Sequence, residues 1–365
     1  MSTPVSAAVR LVEVDPGSQH FADLVRLLED ADRETVGDAF EPQPVEYHVA
    51  SWRTANGRHH ASLALVEGPG GEEAAGVAKA FTPDLDNTHL VEVELAVAPA
   101  HRGRGLGRRL LEAVRGLARE EGRDTVVGGT GYRPDPAEAW QRHERAVADP
   151  RVSTGEAPEH LGTSFARASG ARLVQTEVRS QVRLPVEEAV LAGVEAEVGD
   201  RADAYTTRAW TGLAPADLLD DRAALAARMS TDPPLGEVDW RPETWDADRI
   251  RRTYADWDRR GIDVVAAGAV ETATGRMVAF SEMGRDRRAP GIAYQFDTIV
   301  DPAHRGRRLG IVVKAANLRA VEAAWPEVTR VQTWNALENG PMLRVNRAMG
   351  FVPVGLYSIW QLRLT

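Results

Sequence analysis

Pro99-Ala100-His101-Arg102-Gly103-Arg104-Gly105-Leu106-Gly107 returns later in the chain as Pro302-Ala303-His304-Arg305-Gly306-Arg307-Arg308-Leu309-Gly310. The spacing between the copies suits duplicated domains and is far too long for a solenoid repeat. Upstream of the first copy, Val91, Val93, Leu95 and Val97 alternate with Glu92, Glu94, Ala96 and Ala98. Tyr294, Phe296, Thr298 and Val300 alternate with Gln295, Asp297 and Ile299 before the second. Both runs have the period of a strand. Downstream, Leu106, Leu110, Val114 and Leu117 make one helical stripe, and Leu309, Val313, Ala316 and Ala320 make another. Each copy is therefore a strand, an arginine-glycine turn and a helix.

Such a turn is a physical device for holding a polyphosphate. Glycines let successive backbone N–H groups converge on an anion. The helix start adds its positive dipole, and arginines add bidentate donors. No Gly-Lys-Ser/Thr follows, so this is not a Walker loop. The order Gly103, Gly105, Gly107 also differs from the dinucleotide fingerprint.

Working outward, each half reads as α+β. Val9 to Val14 reads as a strand, Phe21 to Asp32 as a helix, Ala61 to Val66 with Ala74 to Ala80 as a hairpin, and Asp124 to Val127 as a strand. Arg133 to Glu159 reads as a loop or short-helix insertion, and Ala171 to Leu184 as the strand closing the half. The second half has helices from Asp217 to Met229 and from Thr244 to Arg259. A hairpin from Ile262 to Val270 and Arg276 to Met283 turns at Thr274-Gly275. A strand from Val328 to Thr333, a helix from Met342 to Met349 and a strand from Tyr357 to Leu362 complete it. The expected organisation is a first domain over 1–185, a linker over 186–204 and a second domain over 205–365.

Composition sets limits. The chain has no cysteine among its 365 residues, which removes disulfides, thiolate zinc sites and a cysteinyl acyl-enzyme. A net charge of −10 argues against a dedicated nucleic-acid partner. No apolar stretch is long enough for a membrane span, and Met1 to Val5 lacks the pattern of a signal peptide, so a cytoplasmic location is expected. His59-His60 has no partners at ligand spacing, and no metal is assigned.

The turn resembles the acetyl-CoA-binding motif of the GNAT acetyltransferase superfamily, in which a strand ending in Val-x-Pro precedes Arg/Gln-x-x-Gly-x-Gly/Ala. Val97, Pro99, Arg102, Gly105 and Gly107 fill it; Arg305 and Gly310 match in the second half, where Arg308 replaces the first glycine. A CoA site there is expected to need φ below zero at Arg308. Asn339, Met342, Asn346, Gly350 and Phe351 match the superfamily's distal Asn-x-x-Ala/Met-x-x-x-Tyr/Asn-x-x-x-Gly-Phe run, whereas the first half has Ala166 and Gly170-Ala171. Most of the chain is similar to actinobacterial tandem GNAT proteins of the mycothiol synthase type, in which the C-terminal lobe is catalytic.

The resemblance implies two tandem GNAT folds, each a mixed central sheet flanked by helices. It also implies acetyl-CoA as co-substrate and direct transfer to the primary amine of a small molecule. The implied CoA contacts are Val97, Arg102, Gly103, Arg104, Gly105, Leu106 and Gly107, then Val300, Arg305, Gly306, Arg307, Arg308, Leu309, Gly310, Asn335, Asn339 and Met342.

An ammonium acceptor must lose a proton before it attacks, so a carboxylate base is needed; Glu94 and Asp297 stand at equivalent places before the turns, with Glu92 and Gln295 two residues earlier. Backbone N–H groups around Val97 or Val300 would meet the oxyanion. Asn346 stands where relatives carry a tyrosine acid, and it supplies no acidic proton; Tyr357 is the substitute candidate. His101 and His304 are expected to cap or pack beside phosphate. Trp210, Trp240, Trp245, Trp257 and Trp334 read as packing residues, some of them able to line an acceptor pocket. Acceptor-shaping segments are expected at Asp30 to Tyr47 and Leu219 to Thr244. A non-catalytic acyl-CoA sensor and a protein-amine acetyltransferase remain alternatives, as a monomer or homodimer.

Overall fold

The computed structural model describes residues 9–37, 42–68, 71–148, 157–198 and 204–364. In chain order come β1 (Val9–Glu13), α1 (Phe21–Val36), α2 (Val45–Ser51), β2 (Arg53–Thr54), β3 (Gly57–Gly68), β4 (Gly71–Pro83), β5 (Leu90–Val97) and α3 (Leu106–Glu120). Next are β6 (Thr125–Tyr132), α4 (Pro136–Ala148), α5 (Leu161–Ala168), β7 (Arg172–Arg183), α6 (Glu188–Val198) and β8 (Tyr205–Thr211). The chain continues with α7 (Leu219–Met229), α8 (Ala247–Arg259), β9 (Ile262–Glu271), β10 (Met277–Asp286) and β11 (Ile292–Val300). It finishes with α9 (Leu309–Ala324), β12 (Arg330–Ala336), α10 (Gly340–Ala348) and β13 (Val352–Arg363).

Two compact units emerge, and their membership differs from the expected division. The first comprises residues 1–133, 157–174 and 358–365; the second comprises 134–156 and 175–357. Each half thus gives part of its closing strand to the other unit. The Gln175–Arg183 part of β7 lies in the second unit, where Glu177 to Arg183 pair antiparallel with β12 (Ala336↔Glu177 to Arg330↔Arg183). The Ser358–Arg363 part of β13 lies in the first, where Trp360 Nε1 donates to Thr130 Oγ1 at 2.9 Å and the Leu364 N–H to the Asp124 carbonyl at 2.8 Å. Alternation shows that these runs are strands but says nothing about their neighbours.

In the first unit β1, β3, β4 and β5 pair antiparallel in that order, and β5 pairs parallel with β6 across the α3 crossover. Strand alternation sends Leu63, Leu65 and Val77 to one face, beneath Phe21, Leu24, Leu27 and Leu28 of α1. It sends Ala64, Ala78, Val91 and Val126 to the other, against Leu110, Val114 and Ala118 of α3. Alanines on that face let α3 approach closely.

In the second unit β8, β9, β10 and β11 pair antiparallel, and β11 pairs parallel with β12. Ile311, Ala315, Leu318 and Val321 of α9 pack with Leu191 and Val194, which belong to α6. Residues 188–198 of the expected linker are therefore a docked helix, fixed also by the Arg319–Glu188 pair at 2.9 Å. Residues 199–203 of that linker, 149–156 of the expected insertion, 38–41 of an acceptor-shaping segment and the N-terminal Met1 to Val5 lie outside the described residues. No helix among the described residues is long and apolar enough to cross a membrane.

Candidate active site

Both arginine-glycine turns have the shape the sequence implies. In the first unit β5 runs into a 3-10 turn (Pro99–His101), and α3 begins after Gly105 at φ 81°, ψ 2°. In the second, β11 runs into Pro302–His304, and α9 begins after Arg308 at φ 63°, ψ 11°. The expectation of φ below zero at Arg308 is thus corrected: a non-glycine residue takes the left-handed conformation at about 1–2 kcal/mol. The turn geometry is kept in spite of the side chain, the kind of local strain that collects at functional sites.

The Gly105 carbonyl accepts from Arg109 N–H at 3.1 Å, and the Arg308 carbonyl accepts from Ile311 N–H at 3.1 Å, so α3 and α9 begin directly at the turns. A Cβ added at Gly103, Gly105 or Gly306 would meet nothing within 4 Å, so the concave side of each turn is open. A helix start beside open space fits a pyrophosphate. Gly107 has a different task. Its Cβ would lie 3.1 Å from the Phe165 ring, so it permits close packing of α5.

The motif arginines are held in matching ways. Arg102 donates through Nε to the Val97 carbonyl at 3.0 Å and through Nη1 and Nη2 to Glu34 at 2.9 and 2.5 Å. This bond with Arg102 lowers the Glu34 pKa. Arg305 donates through Nε to the Val300 carbonyl at 3.2 Å and through Nη2 to Asp232 at 2.6 Å. Both side chains brace the turn, leaving amides as the foremost anion donors. His101 sits 3.1 Å from Glu73, and His304 Nδ1 lies 2.9 Å from the Tyr205 hydroxyl. Arg307 donates to that same hydroxyl.

Beside each turn the sheet opens. The β5–β6 register ends at Val93↔Gly128, and the β11–β12 register ends at Tyr294↔Gln332. Ala98 N–H donates to the Ala75 carbonyl and Asp301 N–H to the Val278 carbonyl. Alternation therefore turns the N–H groups of Val97 and Val300 to the opposite side, into the gap where parallel pairing has ended. Those are the amides the sequence marks for an oxyanion.

The carboxylates separate the two units. Glu94 is an exposed strand residue, 57% accessible, paired with Lys79 at 3.2 Å. Asp297 faces Glu282 across β10, at the same place in the register, and the next pair is Met283↔Gln295, so Phe296 forms a bulge. Gln295 stabilises it, donating to the carbonyls of Glu282 at 2.6 Å and Asp297 at 2.7 Å.

Glu282 is fully buried, accepting from Arg222 Nη2 at 3.0 Å and from the Tyr254 hydroxyl. Arg222 Nη2 is 3.8 Å from Asp297. Burial raises the Asp297 carboxyl to about 6; Arg222 opposes that rise and Glu282 adds to it. Burial works against the Arg222 charge, but Glu282, Tyr254 and Asp297 hold it on. Burial, then Glu282, raises the Tyr254 hydroxyl.

The distal motif is also built into local structure. Asn339 caps α10, its side chain accepting from Met342 N–H at 3.2 Å. Asn346 is buried, accepting from Lys314 Nζ at 2.5 Å and donating to Asn335 Oδ1 at 2.6 Å. Burial lowers Lys314 to about 7. Tyr357 is exposed on β13, and Trp334 is exposed beside Tyr294 at 6.0 Å between ring centroids. Trp210, Trp245 and Trp257 pack on the apolar cluster under α7 and α8. In the expected acceptor-shaping segment after α7, the Pro234 carbonyl accepts from Gln175 at 2.8 Å.

Arg222, Tyr254, Glu282 and Lys314 were not selected from the sequence. A charge inside the apolar run Met277–Gly284 and a lysine among the apolar positions of α9 were the available signals.

Residues 22–146 match the acetyltransferase (GNAT) family. A mycothiol acetyltransferase of Tsukamurella paurometabola is 28% identical over 265 residues, covering 71% of this chain and 74% of that protein. A tandem GNAT protein from the clavulanic acid biosynthesis pathway, solved without AcCoA, superposes with a TM-score of 0.72 at 24% identity over 98% of both chains. The chain has the fold of a tandem GNAT protein. A GCN5-related N-acetyltransferase from Sphaerobacter thermophilus shares the fold with this chain at a TM-score of 0.60 and 18% identity, over 99% of this chain and 97% of that one.

Proposed function

We propose that the protein moves an acetyl group from acetyl-CoA directly to the primary amine of a small molecule, with the chemistry in the second unit. One observation carries the assignment to that unit. Asp297 lies three residues before Val300, beside an open pyrophosphate turn, and burial raises its carboxyl to about 6. Such a group is ionised at neutral pH yet basic enough to accept a proton.

In this reading the turn amides bind the CoA pyrophosphate, and the pantetheine arm lies along the unpaired edge of β11. The acceptor ammonium loses its proton to Asp297, and the free amine attacks the thioester carbonyl. The Val300 N–H meets the developing oxyanion; collapse breaks the C–S bond, and the departing CoA thiolate takes up the proton that the amide nitrogen sheds and leaves as the thiol. Glu282, held by Arg222 and Tyr254, fixes the electrostatics of the base. The first unit keeps an open turn, but its Glu94 is solvated and paired with Lys79. Its part is to bind CoA or to support the fold.

Thiol release from acetyl-CoA over a panel of small amines tests this. At least one amine is expected to give turnover, and Asp297→Asn to reduce it about 10²–10⁴-fold. Full turnover by the variant, or no amine-dependent thiol release from the intact protein, contradicts the proposal.

A further inference from the structure

Lys314 is 1% exposed, in the interior of the second unit, and no step of the proposed reaction uses it. Its partners are the Phe351 ring, 4.6 Å away, and Asn346 Oδ1 at 2.5 Å. Asn346 Nδ2 donates in turn to Asn335 Oδ1 at 2.6 Å, and Thr333 Oγ1 lies 3.4 Å from the same oxygen.

Donor and acceptor chemistry gives this chain one direction. An ammonium can only donate, so the Asn346 oxygen must face it. The Asn346 nitrogen is then left to donate, and Asn335 must turn its oxygen inward. The Asn335 NH2 group consequently points away from the interior. Asn335 is half-buried and lies on β12 beyond Gln332, where pairing with β11 has ended.

We infer that Lys314 is a positioning residue: by fixing the polarity of the Asn346–Asn335 amide pair, it makes Asn335 offer N–H donors to an amide or thioester carbonyl lying in the gap between β11 and β12. The inference rests on the second unit holding acyl-CoA. The first unit supplies an internal comparison. Aligning the turns sets Leu111 opposite Lys314, and aligning the distal motifs sets Ala166 opposite Asn346; both are buried and apolar. The donor and its acceptor are present together in one copy and absent together in the other.

Calorimetric titration with acetyl-CoA below pH 7, where Lys314 keeps its charge, tests the inference on Lys314→Met, Asn335→Ala and the double variant. Each single change is expected to weaken binding about tenfold, the scale of one lost hydrogen bond to a polar group. The double variant is expected to be no weaker than either single one, because both act through the same donor. In turnover the loss should fall on KM for acetyl-CoA, with kcat changed less than about threefold. Multiplying effects, or wild-type binding by Lys314→Met, overturns the inference.

Should Lys314→Met fail to fold, Asn335→Asp decides. It keeps the shape and replaces the NH2 donor with oxygen; wild-type affinity there also overturns the inference. Failure of the underlying reading looks different. Gly306→Asp would then leave all acetyl-CoA binding unchanged, showing that the ligand never occupied the second unit.

Discussion

Arg308 holds φ 63° where its counterpart Gly105 holds φ 81°, so the two copies keep one turn shape with different residues. Glycine reaches this conformation freely, and arginine pays about 1–2 kcal/mol for it. Comparing Arg308→Gly with Arg308→Ala removes the side chain in both cases and isolates the backbone contribution. The glycine variant is expected to be more stable by about 1 kcal/mol in denaturant unfolding. Equal stabilities would show that the turn carries no such strain.

Asp297 sets a pH dependence with a defined sign. Its raised carboxyl must be ionised to act as base, so kcat/KM is expected to fall about tenfold per pH unit below about 6. A raised carboxyl also means that the folded protein holds this proton more tightly than the unfolded chain does. The contribution to stability is therefore present at low pH and lost as pH rises through about 6. Asp297→Asn escapes that loss, so it should unfold at pH 7 no more easily than the wild type while its activity collapses. A rate profile flat between pH 5 and 8 would remove Asp297 from the role.

Arg222 is the cation between Glu282 and Asp297. Replacing it with Met leaves Glu282 buried without compensation, which costs about 3–5 kcal/mol at pH 7. Denaturant unfolding of Arg222→Met at pH 7 checks this, and wild-type stability would contradict it.

Gly284 faces the ring of Phe296, and a Cβ there would collide with it. Because Phe296 is the bulge residue next to Asp297, Gly284→Ala is expected to move the base. A loss of about tenfold or more in kcat, larger than the change in KM for acetyl-CoA, is the expected kinetic outcome. An unchanged kcat would show that the bulge does not aim Asp297.

The chain's own pattern made much of this fold legible. The repeated turn, the strand before it and the helix after it were plain because each is a local feature: glycines, alternation and a helical stripe occupy neighbouring residues. The hairpin at Thr274-Gly275 was plain for the same reason. The exchange of closing strands was hidden, since the alternation in Arg172–Arg183 fits any neighbour with a matching face. The docked helix Glu188–Val198 was hidden by its small and acidic residues, which resemble a linker until α9 is there to receive Leu191 and Val194.

Site residues divide along the same line. Asp297 could be found from its place before a motif. Arg222 meets Glu282 from 60 residues away, and Lys314 meets Asn346 from 32, so tertiary contact alone gives those side chains their meaning.

The assignment of chemistry to the second unit is tested most directly by one matched pair of variants in the thiol-release assay. Gly103 and Gly306 have nearly equal φ, 75° and 73°, and open space above each. Aspartate at either place therefore puts a carboxylate where a pyrophosphate would sit, under the same backbone strain. The account predicts that Gly306→Asp abolishes turnover while Gly103→Asp leaves most of it. Turnover lost only in Gly103→Asp would contradict it.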